Sequence, residues 1–334
     1  MITLPVTSRD VYHNFALEYY LMTAHAFNEP VFMLWTTTPT VMLGKYQDAF
    51  SELDLNAVDA HGLTVVRRYS GGGTIYTDEG GCQFTLIMPD QTNDLDFSQG
   101  LTLIQQALVA VGIHATTDSR NDLVVDGLKV SGSAQYDEPG YKLHHGSLLF
   151  DSDMATMASV LKVDPVKQKA KHIHSVHQRT INLKAQKPDW TPEQFRQGII
   201  DAVSSANNCR TVTLTAADEA RISEIAAERF ADPAVIYGDR QTFQMTRKRY
   251  VKGGGLVQID YSLNDGRLSA VRLSGDFFSN LDTSQFSKAL LGKPFDREIM
   301  KTVIARKLSV TPILGITAEQ LVEVLFDDKK AVEK

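Results

Sequence analysis

Cysteine is nearly absent from this 334-residue chain, with Cys82 and Cys209 the only two. They are far apart and belong to no Cys-x-x-Cys pair or Cys/His quartet. That argues against a structural zinc site and against a secreted disulfide framework. No apolar run reaches the ~18 residues of a membrane span. Met1-Ile2-Thr3-Leu4-Pro5-Val6 has neither the basic region nor the apolar stretch of a signal peptide. An excess of positive charge is missing too. Lys and Arg number 34 against 40 Asp and Glu, a net charge of −6, so a general nucleic-acid binder is not expected, although a local basic patch is compatible with that sum. Neither Gly-x-x-x-x-Gly-Lys-[Ser/Thr] nor Gly-x-Gly-x-x-Gly occurs, which leaves a Walker loop and a Rossmann dehydrogenase unsupported. The reading is a cytoplasmic protein with neither membrane nor nucleic acid among its partners.

What is present is ordinary globular composition, 43% hydrophobic and 22% charged, in a length that suits about two domains of ~150 residues each. Asp10 to Met22 has the apolar periodicity of an amphipathic helix. Val31–Trp35 and Thr40–Leu43 read as paired strands, and Ser51 to Ala60 as one helix capped by Ser51. Further strands are expected at Val65–Tyr69, Thr74–Tyr76, Gln83–Met88 and Leu143–Phe150, with a helix at Leu101–Val111. Asp126-Gly127 between Leu123–Val125 and Leu128–Val130 is a hairpin signal. Thr191-Pro192-Glu193 opens a helix, and a second runs over Ala216–Arg229. Strands near Phe243–Arg249, Leu256–Tyr261 and Leu268–Leu273 are then followed by helices near Thr283–Leu291, Arg297–Leu308 and Ala318–Phe326. The expected class is α+β, with mixed β-sheets flanked by helices in residues 1–244 and a small α+β accessory domain in 245–334.

Three segments can carry chemistry. Arg67-Arg68-Tyr69-Ser70-Gly71-Gly72-Gly73-Thr74-Ile75-Tyr76 sets three glycines after a strand, where backbone N–H groups can approach a phosphate closely. A plain glycine turn is the alternative, and is the reading for the second run, Gly253-Gly254-Gly255. Lys129 follows the tight turn and precedes Ser131-Gly132-Ser133-Ala134, small residues that leave room for a ligand beside a fixed ammonium. His144-His145-Gly146-Ser147 can shape a pocket or serve acid–base chemistry. Cys82 sits in an apolar run, where a free thiol is usually buried and inert. Residues 162–187, rich in lysine and with His172, His174 and His177, read as a solvated loop or as a basic lid.

Taken in order, these motifs resemble a known family. Arg68-x-Ser-Gly-Gly-Gly, Asp78-x-Gly80, Asn121-Asp122, Lys129-Val-Ser-Gly-Ser-Ala134, His144-His145-Gly146-Ser147-Leu148-Leu149 and Ser175-Val176 with Arg179 and Asn182-Leu183 are similar to those of two-domain bacterial lipoate–protein ligases. Ser274-Gly275-Asp276-Phe277-Phe278 matches their accessory domain. The resemblance implies a fold shared with biotin ligases, and two steps. Lipoate and ATP, with Mg2+, give lipoyl-AMP, and a lysine of an acceptor protein then takes the lipoyl group. The acceptors implied are lipoyl domains of 2-oxoacid dehydrogenase acyltransferase subunits or the glycine-cleavage H protein. By position, Lys129 matches the family's catalytic lysine, which the resemblance implies touches both carbonyl and phosphate. Arg68, Gly73, Thr74, Ile75, Tyr76 and Asp122 are implied in nucleotide binding. Ser70, Gly71, Gly72, Gly132, Ser133, Ala134 and His145 are implied around the lipoyl group, and 162–187 is implied as an adenylate cover. Thr77 and Gly81 depart from the family, which often has His and Asn there.

Competing readings differ in what they need. An octanoyl or lipoyl transferase of the same superfamily needs an accessible cysteine and no ATP. A non-catalytic adenylate binder has no use for Lys129. A biotin ligase fits the motif string less well.

Overall fold

The computed structural model describes the chain except residues 26, 91, 93, 119–120, 163, 172–179, 239 and 328–334. Its centre is an eight-stranded mixed sheet. Along the chain it takes β1 (Ile2–Thr3), β2 (Val31–Trp35), β6 (Cys82–Pro89), β7 (Thr116–Asp118), β8 (Asp122–Val125), β9 (Leu128–Glu138), β10 (Tyr141–Leu148) and β11 (Arg210–Thr211). In space the order is β11-β1-β2-β6-β10-β9-β8-β7. A second sheet of three short strands sets β3 (Thr40–Leu43) between β4 (Thr64–Arg67) and β5 (Ile75–Thr77). Both outer faces of the central strands are apolar, so each is covered by helices. α1 (Val11–Thr23) packs Phe15, Leu17 and Leu21 against one face. α4 (Ser98–Ala110) and α7 (Pro192–Ala206) pack Ile104, Leu108, Phe195 and Ile199 against the other.

Three local expectations change. The runs 31–35 and 40–43 are both strands but do not pair, because the chain crosses between sheets at Thr36–Pro39. There Thr36 Oγ1 donates to the Asp78 carbonyl at 3.0 Å, and β2 pairs with β6 while β3 pairs with β4 and β5. Residues 51–60 are not one helix. Two aspartates outcompete Ser51 as caps, Asp48 accepting from Phe50 N–H and Asp54 from Asn56 N–H. The result is α2 (Ala49–Glu52) and α3 (Leu55–Ala60), with Leu53 extended between them and bridged to Leu161. The helix at 216–229 also ends its regular part early. α8 (Ala216–Ile225) passes into a wider π turn at Ala226–Phe230.

Residues from Met245 onward form their own antiparallel sheet, β12 (Met245–Val251), β13 (Gly255–Asn264) and β14 (Arg267–Gly275). α10 (Thr283–Leu290), α11 (Arg297–Leu308) and α12 (Ala318–Leu325) cover it around Val257, Phe286, Met300 and Leu321. Gly253 and Gly255 take φ of 80° and 115° in the turn between β12 and β13. This block reaches back onto the first. Gly275 N–H donates to the Tyr46 carbonyl at 2.9 Å, and the Tyr46 hydroxyl donates to the Ser279 carbonyl at 2.6 Å. No helix among the described residues is long and apolar enough to cross a membrane.

Candidate active site

The glycine loop after β4 is held from beneath by a buried guanidinium. Arg68 Nε donates to Ser70 Oγ at 3.0 Å, Nη1 to the Met42 carbonyl at 3.0 Å, and Nη2 to the Gly71 and Gly73 carbonyls at 2.9 and 2.8 Å. Burial pulls its pKa down to about 10, helped by the neighbouring Arg67 and opposed by Glu18, so it stays a cation at neutral pH. Arg67 likewise gives its donors to carbonyls, of Gly44 at 2.9 Å, Gln47 at 2.6 Å and Ile236 at 2.7 Å. Both arginines therefore act first as braces, since a buried cation must be paired or hydrogen-bonded. The glycines answer to crowding. A Cβ at Gly71 would come 2.3 Å from the Phe277 carbonyl, and Gly72 has φ of 91° with the Phe278 ring above it.

Ser70 continues the network into the sheet. Its Oγ lies 2.6 Å from His145 Nε2, and His145 Nδ1 lies 3.0 Å from the Glu18 carboxylate on α1. Glu18 also accepts from Thr85 Oγ1 at 2.6 Å, which accepts from Trp35 Nε1 at 2.9 Å. One set of protons satisfies every link. Nδ1–H points to the carboxylate, and Ser70 donates to Nε2 while accepting from Arg68. Helix, sheet and glycine loop are thereby tied by a chain that is buried from end to end.

Lys129 arrives by a break in strand alternation. The β8–β9 ladder shifts register between Leu123, paired with Ser131, and Val124, paired with Lys129. Such a bulge re-aims a side chain. The ammonium ends up over Gly132, where a Cβ would be 2.7 Å from Nζ, and 2.9 Å from Asp122 Oδ1. Ser131-Gly132-Ser133-Ala134 is accordingly the middle of a strand, β9, rather than a turn.

A cavity with roughly 600 Å³ of empty space, its open mouth included, joins these parts. Arg68, Gly72, Gly73, Thr74, Ile75, Lys129, Gly132, Ser133, Ala134 and His145 all line it. Ser70 and Gly71 stand behind that wall, and Asp122 is the counterion of Lys129. Tyr76 is not brought in. Its ring packs with Val41, Leu43 and Val65 under the small sheet, and burial raises its hydroxyl pKa. The cavity also takes Phe15, Trp35, Met42, Gln83, Asn121, Gly146 and Phe278. These were not singled out as binding residues, and Glu18 was missed as well. A lone acid on the apolar face of α1 was the available signal. Thr77 is buried and accepts from Gln83 Nε2 at 2.6 Å. At Gly81 a Cβ would lie 2.8 Å from Ser152 Oγ and 2.9 Å from the Leu148 carbonyl. Asp78 accepts from Asp153 N–H at 2.7 Å, and Asn182 Nδ2 donates to the Ser152 carbonyl at 2.8 Å, so both motif residues staple the loop after β10. His172, His174, Ser175, Val176, His177 and Arg179 lie outside the described residues. Beside the site, Ile181 N–H donates to the Lys129 carbonyl at 3.0 Å.

Two family models match this chain. The lipoyl protein ligase A/B catalytic domain matches residues 10–204, and the bacterial lipoate protein ligase C-terminus matches residues 240–325. The first alone takes in more than half of the chain. The chain belongs to the lipoate–protein ligase family. A probable lipoate-protein ligase A of Mycoplasma genitalium is 29% identical to this ligase over 98% of its length and 99% of the relative's. A Bacillus subtilis lipoate-protein ligase is 30% identical over 94% and 96%. Three solved structures share the ligase's fold. P. falciparum LipL1 in complex with lipoate has a TM-score of 0.75 at 21% identity, covering 91% of this chain and 93% of that one. A Thermoplasma acidophilum bipartite ligase, studied with its E2 lipoyl domain, scores 0.62 at 23% identity over 72% and 98%. A lipoate-protein ligase A bound with ATP scores 0.59 at 21% identity over 71% and 98%. The last two cover only about seven-tenths of this ligase.

Proposed function

We propose that this cavity joins lipoate to AMP and then delivers the lipoyl group to a lysine on a lipoyl domain. The lipoate carboxylate attacks the α-phosphorus of ATP and pyrophosphate leaves. The acceptor amine then attacks the acyl carbon, loses a proton, and AMP departs. The observation that carries this reading is the Lys129 ammonium lying across Gly132 in a cavity whose other walls include Phe15, Trp35 and Met42. An apolar acyl chain suits those walls. A carboxylate and a triphosphate repel one another, and a fixed cation between them lowers that repulsion in both the bound and the reacting state. Lys129 is a clamp in this scheme and forms no covalent intermediate. Gly73, Thr74 and Ile75 would border the nucleotide, and Arg68 and Asp122 would act through the loop and the lysine they hold. Ser70, Gly71, Gly72, Gly132, Ser133, Ala134 and His145 would enclose the acyl group.

Among the described residues no group of three or more His, Cys, Asp or Glu could hold a metal ion, and Asp122 is already paired with Lys129. Mg2+ is commonly held by substrate phosphates with one or two carboxylates rather than by an all-protein cage, so it would enter on the triphosphate. The acceptors proposed are the acyltransferase lipoyl domain and the H protein, in the cytoplasm. The chain divides into a catalytic domain, 1–244, and an accessory domain, 245–334. The transferase alternative is disfavoured by Cys82. It is fully buried on β6, and burial pushes its thiol up to about 12.

The deciding experiment is ATP–pyrophosphate exchange with lipoate, octanoate and biotin in parallel. Lipoate-dependent exchange is expected and none with biotin. No exchange with any acid, together with acyl transfer from an octanoylated donor, would establish the transferase instead.

A further inference from the structure

Gln83 sits on β6 in the row that pairs with Trp35 of β2 and Ser147 of β10. It lines the cavity with Lys129 and Gly132 and is only 4% exposed. Nε2 donates to Thr77 Oγ1 at 2.6 Å, and Thr37 Oγ1 approaches the same oxygen at 3.5 Å. Gln83 Oε1 is buried with no hydrogen-bond partner. In that orientation the Thr77 hydroxyl accepts twice and its own proton finds no acceptor among the described contacts, while a buried carbonyl goes unpaired, a costly combination. Turning the carboxamide by 180° preserves its shape and gives the Thr77 proton an acceptor. Thr77 then donates to Oε1, and Nε2 takes the buried position where the oxygen had no partner, which leaves its N–H groups for an acceptor that a ligand brings to the cavity Gln83 lines.

Most of the side-chain nitrogens that line the cavity are already engaged. Arg68 spends Nε and Nη2 on Ser70, Gly71 and Gly73. Asn121 Nδ2 goes to the Ser133 carbonyl at 2.9 Å, and Lys129 is shared with Asp122. A carboxylate or phosphoryl group entering here offers several lone pairs, and an ammonium already shared with Asp122 leaves some of them for other donors. We infer that Gln83 is a ligand-binding residue whose amide, with Nε2 turned inward, donates to an anionic or carbonyl oxygen of the bound acid or its acyl-adenylate. This rests on the ligase reading. A neutral donor suits the place, since a second buried cation would carry its own desolvation cost.

The test is calorimetric titration of the full chain with lipoate and with an acyl-sulfamate analogue of lipoyl-AMP. Gln83→Met keeps the length and burial but offers no donor, and its affinity for at least one of the two probes is expected to fall about 10- to 100-fold. Gln83→Glu, acceptor-only and anionic, is expected to fall further. Unfolding midpoints check that each variant is folded, and Gln83→Asn, whose amide is withdrawn by one methylene, stands in if the Met variant is not, with the same loss expected. A folded variant, Gln83→Met or its stand-in, binding both probes within about twofold of wild type overturns the assignment alone. Wild-type protein that binds neither probe overturns the ligase reading, and this assignment with it.

Discussion

Lys129 and Gly132 are separated by three positions, which on a regular strand would put them on opposite faces. The bulge in the β8–β9 ladder brings the ammonium to the glycine. The residue was legible from its motif and its local turn, but the bulge was not, because it depends on pairing with β8. Lys129→Ala should cut lipoate-dependent pyrophosphate exchange by about 100- to 1,000-fold, the usual loss for a charge-stabilising donor. Its side chain is 31% exposed, so the unfolding midpoint should move little. Exchange at wild-type rate would end its role as the clamp. Cys82→Ser isolates the other mechanism. The thiol is fully buried and lines no part of the cavity, so exchange and transfer should stay within a few-fold of wild type. Complete loss in a folded protein would bring back a cysteine intermediate.

Among the elements, what could be read was what is local. Asp126-Gly127 and Asp265-Gly266 both turn with positive φ at each residue, as their hairpins require. Thr191 caps the helix as Thr-Pro-Glu announced, and Gln194 adds a reciprocal bond that completes a capping box. Strands 31–35 and 40–43 were recognised, but not that they serve different sheets, since neighbours in sequence carry no record of a crossover. The His144-His145 pair shows the same limit. Strand alternation sends His145 to the cavity and His144 to the opposite face, where Gly100 of α4 leaves room for its ring. There burial, then the neighbouring His145, lower the His144 pKa to about 3, against a small opposing pull from Asp96. Its native-state pKa lies below the value of ~6.5 of an unfolded chain. The unfolded chain therefore binds the extra proton between those values. The stability this neutral ring contributes is complete above about pH 6.5 and drains away as pH falls toward 3. Urea midpoints at pH 7.5, 6.5 and 5.5 should decline in that order, and His144→Gln should flatten the decline. An unchanged slope in that variant would assign the acid sensitivity elsewhere.

Across the whole molecule, the cavity proposed as catalytic is not finished by the sheet that hosts it. The segment after β14 supplies the last wall. Phe278 lines the cavity and meets Phe97 edge-on at 5.3 Å, while Gly72 N–H donates to the Phe277 carbonyl at 3.2 Å. Around that contact the joint combines a second aromatic stack, Tyr46 on Phe277 at 4.6 Å, with ion pairs. Lys167 pairs with Asp276 at 2.7 Å, Lys248 with Asp164 at 2.6 Å, and Arg272 reaches Asp48 at 3.4 Å. Ion pairs hold two blocks together less firmly than apolar contact does, so the aromatic contacts of Phe277 and Phe278 set the fit over the site. Phe278→Ala tests this directly. Truncating a buried phenylalanine costs about 3–5 kcal/mol, and Phe278 is 5% exposed, so the unfolding midpoint should fall. If the ring is also a wall for the acyl chain, the KM for lipoate should rise by about 10-fold or more, while the KM for ATP and kcat change little. A lower midpoint with an unchanged lipoate KM would mean that the ring only fastens the two blocks together, and that the wall over the acyl chain belongs to the first block alone.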